Sequence, residues 1–354
     1  MSAHPTESPE QREGLRLGTY PTPLWRIDSL GEARHDLWIK DDGRTGADYG
    51  GNKVRKLERL LSLARRRGAS RMLTIGAAGS HHVLATCLYG ARLGLPTCAV
   101  LMPQPHTPHA EATLRAALHA GLVAVPVRSL LEGARTFRRV RRAGDFSIGP
   151  GGWGPEGTWA YRLAVDELRD QMEAARLPVL DAIFVAAGSG STAAGLVAGV
   201  LQTGVARRVV AVAAAPNPLL RGLIVGQALH SLRRHDQSAS LLDALRVLQL
   251  DARFIGRGYG YPSDDVARVT ELARSFGLAV EPTYTAKAFA AATRWAATTR
   301  DDNQLGKLRL HERLSYLYWH TLSAVPLDAL LAGAPDTLPS ELARLLFEPS
   351  PNPS

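Results

Sequence analysis

The sequence predicts an α/β protein of open, mostly parallel sheets flanked by helices. Three observations carry this expectation. Short apolar runs alternate with amphipathic helical segments between Leu37 and Ala215, the order that βαβ units require. Several of the helical segments stop at a glycine, at Gly68, Gly94 and Gly121, as helices often do. With 354 residues, 45% of them hydrophobic, the chain can fill two cores or one large one.

Taken in order, residues 1–15 are polar and read as a disordered tail, without the apolar core of a signal peptide. Leu37–Lys40 reads as a strand, and Asp41-Asp42-Gly43 turns the chain. Val54, Leu57, Leu60, Leu61 and Ala64 share one helical face. Met72–Ile75 is a short strand, followed by Gly76–His82 and a helix over Val83–Leu93. Pro96–Met102 and Leu122–Val127 read as strands around a helix at Ala110–Ala120. The glycine- and proline-rich stretch Gly149–Gly157 reads either as a hinge or site wall, or as a plain connection. A helix at Ala160–Glu173 leads to the strand Asp181–Ala187, a helix at Ala193–Gln202 and the strand Val209–Ala215. Leu219–Ala228, Leu241–Leu248, Asp265–Phe276 and Ala288–Ala297 read as helices, and Leu314–Thr321 as a last strand. The expected division is a larger domain of 16–60 and 161–335, a smaller one of 61–160, and a peripheral Pro/Ser-rich tail at 336–354.

Composition excludes several classes. Cys87 and Cys98 are the two cysteines, both in apolar segments, which argues against a disulfide framework or a zinc site and fits a reducing cytoplasm. No run is long and apolar enough to span a bilayer. The net charge of +9 comes from arginines spread along the chain, with no accompanying nucleic-acid motif, so neither nucleic acid nor membrane is expected as a partner.

Lysine is the informative base: Lys40, Lys53, Lys56, Lys287 and Lys307 are the five present. Guanidinium neither deprotonates nor forms imines, so a primary amine kept among arginines can mark chemistry. Lys53 follows Gly50-Gly51-Asn52 and sits at a helix start. There the macrodipole disfavours positive charge and lowers the amine pKa. A neutral amine can form a Schiff base or accept a proton. Lys56, one turn on, reads as a surface or phosphate-facing charge. A second signal is Gly188-Ser189-Gly190-Ser191-Thr192 between an apolar strand and a helix. Glycines admit an anion to backbone N–H groups, and the hydroxyls can donate as well. The spacing matches neither a Walker loop nor a dinucleotide fingerprint; it suits one terminal phosphate.

Together these features resemble pyridoxal-phosphate (PLP) enzymes of the tryptophan-synthase β-like fold. More narrowly, the chain resembles the 1-aminocyclopropane-1-carboxylate (ACC) deaminase and D-cysteine desulfhydrase family from about Leu17 to Leu331. The carriers are Gly-Gly-Asn-Lys-x-Arg-Lys-Leu-Glu at 50–58, Gly-Ser-Gly-Ser-Thr-x-Ala-Gly at 188–195, Tyr-Gly-x-Pro at 259–262, Glu-Pro-x-Tyr at 281–284, and His320-Thr321. The resemblance implies two open twisted, mostly parallel sheets, a homodimer, and a small amino acid as substrate. It makes Lys53 the PLP lysine, sets Asn52 near the cofactor's phenolic oxygen, and gives the phosphate to 188–192. The family's Ser-Asn pair, which seats the substrate carboxylate, falls at Ser80-His81, with His82 next to it. Its two active-site tyrosines fall at Tyr259 and Tyr284.

Two positions separate the branches. ACC deaminases carry Glu after the second tyrosine and Leu after the histidine; here stand Thr285, beside the substrate, and Thr321, beside the cofactor. That pair resembles the D-cysteine desulfhydrase branch and implies α,β-elimination to a 2-oxo acid and ammonia. ACC deamination is the alternative. Racemisation and β-replacement share the same Cα deprotonation, and a non-catalytic PLP or amino-acid binder is the reading from another class. The chain departs from the family at His81, where Asn is usual, and at Leu322-Ser323, where Gly-Gly is usual. Two readings of His81 stand: an added acid–base or carboxylate contact, or a helix-cap or core histidine.

Overall fold

The computed structural model describes residues 15–28, 30, 35–261, 266–297 and 313–348. The expected disordered tail lies almost wholly outside this range. Among the described residues the chain builds two open sheets. The larger has six strands: β1 (Leu24–Arg26), β2 (Asp36–Asp41), β8 (Ala182–Ala187), β9 (Val209–Ala213), β10 (Leu248–Asp251) and β11 (Ser315–His320). Their order is β1-β2-β11-β8-β9-β10. Every pair is parallel except β1 with β2. The smaller sheet is all parallel, in the order β6-β4-β3-β7. It uses β3 (Arg71–Ala77), β4 (Thr97–Met102), β6 (Val123–Pro126) and β7 (Asp145–Ser147).

Helices cover both faces of the larger sheet, so its strands β8 and β9 are apolar throughout rather than alternating with polar residues. Successive side chains still point to opposite faces. Ile183, Val185, Leu317 and Trp319 pack on the helices Pro155–Ala174 and Ser191–Thr203. Phe184, Tyr316 and Tyr318 pack on the helix Thr285–Ala297. Beneath the smaller sheet, Val54, Leu57 and Leu61 of the helix Asn52–Arg66 join Met72, Leu84, Ala99 and Leu114 in one core. The helix that carries Lys53 in its first turn is therefore packed on the smaller sheet while its N-terminus meets the larger one.

The last described segment differs from the expected peripheral tail. Leu342 and Leu345 are buried in the smaller-sheet core, and β12 (Leu346–Phe347) pairs in parallel with β5 (Gln104–Pro105). These apolar side chains are spaced three apart in a proline-rich context, which hid them as core residues.

Candidate active site

Gly51 caps the Lys53 helix with φ +88°, a conformation L side chains rarely adopt. A Cβ there would stand 2.7 Å from the carbonyl of Thr321. The close approach is used: Asn52 N donates to Thr321 O at 3.1 Å. The first turn of this helix is thereby tied to the end of β11. The Asn52 side chain receives the Lys53 amine at 2.7 Å through Oδ1. Through Nδ2 it donates to Thr192 Oγ1 at 3.0 Å. Burial lowers the Lys53 pKa from 10.5 to about 8, with the Glu281 carboxylate acting in the opposite direction. The amine pKa is thus lowered as expected, but through burial rather than through its place at the helix start.

The helix is fixed from behind by a buried ionic cluster. Arg55, two residues after Lys53, donates to both oxygens of Asp42 and both of Glu167. Tyr161 and Trp319 also donate to Asp42, at 2.6 and 2.8 Å. Burial opposes the charge on Asp42, but Arg55 holds its carboxyl below the usual range. Buried charges persist when paired and hydrogen-bonded, and this cluster joins the turn after β2, the strand β11, the Lys53 helix and the helix Pro155–Ala174.

Facing Lys53 is the helix His81–Arg92, capped by Ser80, whose Oγ accepts from Val83 N at 3.4 Å. This helix begins two residues earlier than its apolar pattern predicts, because the cap is Ser80 and both histidines lie in the first turn. His81 is bonded through Nδ1 to the Tyr49 hydroxyl and through Nε2 to His109 Nε2 at 2.9 Å. Burial, then His109 and Lys53, push its pKa well below 6.5. His82 is buried and bonded through Nε2 to Thr74 Oγ1 at 2.9 Å. The Thr74 hydroxyl gives its proton to Ile148 O, so His82 carries the Nε2–H.

The loop 188–192 lies between β8 and the helix Ser191–Thr203. Gly190 has φ +82° and caps that helix. A Cβ at Gly190 would meet Ile224 at 2.7 Å, and one at Gly188 would meet the Tyr284 ring at 2.8 Å. N–H groups of the first turn have no partner inside a helix, and here Ser189, Ser191 and Thr192 add hydroxyls. Lys56 is buried rather than on the surface, and its Nζ donates to Gly151 O at 3.1 Å. Pro150 and Gly151 line the same cavity, so part of the 149–157 stretch is a site wall. The helix Pro155–Ala174 starts inside that stretch, with Pro in its first turn, where the missing N–H is harmless.

Opposite the loop, Tyr284 donates to the Tyr259 hydroxyl at 2.9 Å, and burial raises Tyr259 to about 12. Glu281 caps the helix Thr285–Ala297. Its carboxylate accepts from the N–H groups of Thr283, Tyr284 and Thr285 at 2.7–2.9 Å and from Thr285 Oγ1 at 3.3 Å. Lys287, next on that helix, is buried and donates to the carbonyls of Ala214, Ile255 and Gly258. It thus pins the loop that carries Tyr259 to the end of β9. At the end of β11, Thr321 faces the cavity, whereas His320 is buried behind it against Tyr318. Ser323 Oγ accepts from Gly50 N at 2.8 Å.

One cavity of about 730 Å³ collects all of the sequence-expected positions: Asn52, Lys53, Ser80, His81, His82, 188–192, Tyr259, Tyr284, Thr285 and Thr321. It also brings in Tyr49, Lys56, Glu281, Asn217 and Leu322. Glu281 was visible as an acid four residues before the helix turn it caps. Nothing local in the sequence pairs His109 with His81.

A family model described as pyridoxal-phosphate dependent enzyme matches residues 15–306. The chain belongs to this family of pyridoxal-phosphate dependent enzymes. Nocardicin C-9′ epimerase of Nocardia uniformis subsp. tsuyamanensis is 32% identical over 337 residues, 91% of this chain and 96% of the relative. D-cysteine desulfhydrase of Klebsiella pneumoniae subsp. pneumoniae is 32% identical over 296 residues, 78% and 86% of the two chains. A crystal structure described as an ACC deaminase homologue superposes with TM-score 0.73 at 27% identity. It covers 90% of this chain and 95% of that one.

The residues fit the cofactor. The 188–192 loop is a cradle that a Cβ at Gly188 would fill, and it combines open N–H groups with hydroxyls. Lys53 offers an amine of lowered pKa. Glu281 is the one carboxylate among the described cavity residues, and its oxygens are committed to the helix it caps. A phosphate is met by donors.

Proposed function

We propose that the protein is a D-cysteine desulfhydrase-like lyase. It takes a small amino acid with a leaving group at Cβ, such as D-cysteine or a β-substituted alanine, to a 2-oxo acid, ammonia and the leaving group. The observation that carries this reading is the convergence on one cavity of the Lys53 amine, the Ser80-capped helix start, the 188–192 loop and the Tyr259–Tyr284 pair. When bound, PLP supplies an electron sink for charge developing at the amino-acid Cα. Lys53 would hold it, the 188–192 loop its phosphate, Asn52 and Thr321 its ring substituents.

The chain's own groups then divide the work. Ser80 and the N–H groups of the helix behind it seat the substrate carboxylate. Lys53, with its pKa near 8, takes the Cα proton when it is free to do so. The hydroxyls of Tyr259 and Tyr284 share one hydrogen bond, so one of them can give a proton to the departing group while the other steadies its oxygen. Thr285 lies beside this pair. Opening the ACC ring breaks a carbon–carbon bond and calls for a strong sink, which a free carboxylate at the ring nitrogen would provide. Here the cavity's carboxylate is used as a helix cap, which favours elimination of a good leaving group.

Epimerisation at Cα is a second reading. It is favoured by His81, half-buried at the cavity wall in contact with Tyr49 and His109, and by the name of the relative from Nocardia. A homodimer and a cytoplasmic setting belong to the same proposal; sedimentation of the purified protein tests the first. The decisive assay incubates PLP-loaded protein with D-cysteine, β-chloroalanine, D-serine, ACC and D-alanine. Sulfide and pyruvate from D-cysteine support the lyase. 2-Oxobutyrate from ACC supports the alternative, and L-alanine from D-alanine supports epimerisation. Absence of any product, with the cofactor bound, would leave a binding protein.

A further inference from the structure

A second cavity, of about 420 Å³, abuts the first. The two share Tyr49, His81, Leu322 and Ser323, whereas His109 and Asp328 line only the second. Across the shared wall runs one hydrogen-bonded file: Tyr49 hydroxyl, His81 Nδ1, His81 Nε2, His109 Nε2. Tyr49 and His81 are ring-stacked, with centroids 6.3 Å apart, and His81 and His109 are 4.9 Å apart.

We propose that Tyr49, His81 and His109 form a proton relay between the cofactor cavity and the second cavity. This rests on the reading of the protein as a PLP enzyme acting on an amino acid. It assigns His81 the acid–base role and removes the direct carboxylate contact, because both ring nitrogens already have protein partners.

The bonding allows two arrangements for neutral rings, since a neutral imidazole has one N–H and one bare nitrogen. In the first, Tyr49 donates to His81 Nδ1 and His81 Nε2–H donates to His109 Nε2. In the second, His109 Nε2–H donates to His81 Nε2 and His81 Nδ1–H donates to the Tyr49 oxygen. Passing from the second to the first moves one proton inward along the whole file. Tyr49 gives its proton to the reacting atom of the substrate, and His81 Nδ1–H reprotonates the Tyr49 oxygen. His109 Nε2–H passes to His81 Nε2, and a water in the second cavity protonates His109 Nδ1. The hydroxide left behind is neutralised by solvent. No electron is transferred, and the reverse sequence exports a proton.

Burial keeps both imidazoles neutral, as such exchange requires: His109, like His81, lies below its usual pKa. The charged and titratable groups around the file are Lys53, His82, Tyr89, Glu281 and Asp328. Tyr89 donates to the Tyr49 carbonyl and holds that residue in place. His109 is a positioning and relay residue; it does not line the cofactor cavity.

Two measurements test the relay. In the cofactor-free protein labelled with nitrogen-15 in histidine, NMR should detect scalar coupling across the His81–His109 hydrogen bond. His109→Gln should shift the His81 nitrogens. Absence of both overturns the relay whatever the enzyme does. In the PLP-loaded protein, His109→Ala should lower turnover of whichever amino acid the native protein converts by about 10- to 100-fold, at the weak end of general acid–base effects. The visible cofactor band and KM should stay unchanged, and imidazole admitted to the second cavity should restore turnover. His109→Gln keeps shape and hydrogen bonding but passes no proton, so it should be as slow as His109→Ala. Full turnover in His109→Ala, restoration by Gln, or loss that imidazole does not rescue each overturns the relay. If the native protein turns over none of the amino acids, the lyase and epimerase readings fall, and the NMR result alone judges the file.

Discussion

The lowered pKa of Lys53 makes a quantitative prediction about how the protein acquires its cofactor. The perturbation is pH, applied to cofactor-free protein mixed with PLP. An amine of pKa 10.5 is neutral about 0.03% of the time at pH 7, and one near 8 about 10% of the time, roughly a 300-fold gain in the reactive form. The sign follows from the cause: burial penalises the ammonium, so the neutral amine becomes available at lower pH. The rate of imine formation, followed by stopped-flow absorbance, should therefore level off above about pH 8. Glu281 pulls the amine upward, so Glu281→Gln should move the levelling point to lower pH. A rate that keeps climbing through the ordinary lysine range, or a Glu281→Gln shift to higher pH, would refute the reasoning.

Three further outcomes follow from the geometry. Arg55→Met leaves Asp42 buried without its counter-charge and should cost about 3–5 kcal/mol of stability in urea unfolding; a loss below about 1 kcal/mol would mean that the remaining donors suffice. Gly190→Ala forces a side chain into φ +82° against Ile224. The left-handed conformation alone costs about 1–2 kcal/mol, so urea unfolding should show a loss of at least that size. Unchanged stability would mean that the helix start gives way around the new side chain. Tyr284→Phe should slow D-cysteine breakdown by about 10²–10⁴-fold while the bound-cofactor spectrum persists, and undiminished turnover would remove the tyrosine pair from the chemistry.

Local signals made much of this protein legible. The Lys53 stretch and the 188–192 loop could be read because a glycine, a helix start and a chemical group lie within a few residues. The long strands and helices showed through apolar periodicity, with ends off by up to six positions, as where the helix expected to stop at Ala228 runs on to Arg234. What stayed hidden was short or non-local. Strands such as β7 (Asp145–Ser147) and β12 (Leu346–Phe347) are too brief for a period to register. The helix Leu130–Val140 ends among Arg138, Arg139, Arg141 and Arg142, charges that read as solvated surface. Of the two readings of Lys56, the surface one fails because periodicity cannot tell a buried amine from an exposed one. The pairing of His81 with His109, like that of Arg55 with Glu167, is made by the fold between distant helices.

The central claim is that Lys53, and not another lysine, carries the cofactor. Lys56 and Lys287 are also buried amines whose pKa burial lowers, so the chain contains its own competitors. Reduction of PLP-loaded protein with borohydride, followed by peptide mass mapping, identifies the modified residue directly. The pyridoxyl adduct should sit on the peptide containing Lys53 and vanish in Lys53→Ala together with the visible band. An adduct on Lys56 or Lys287 in the native protein would contradict the account.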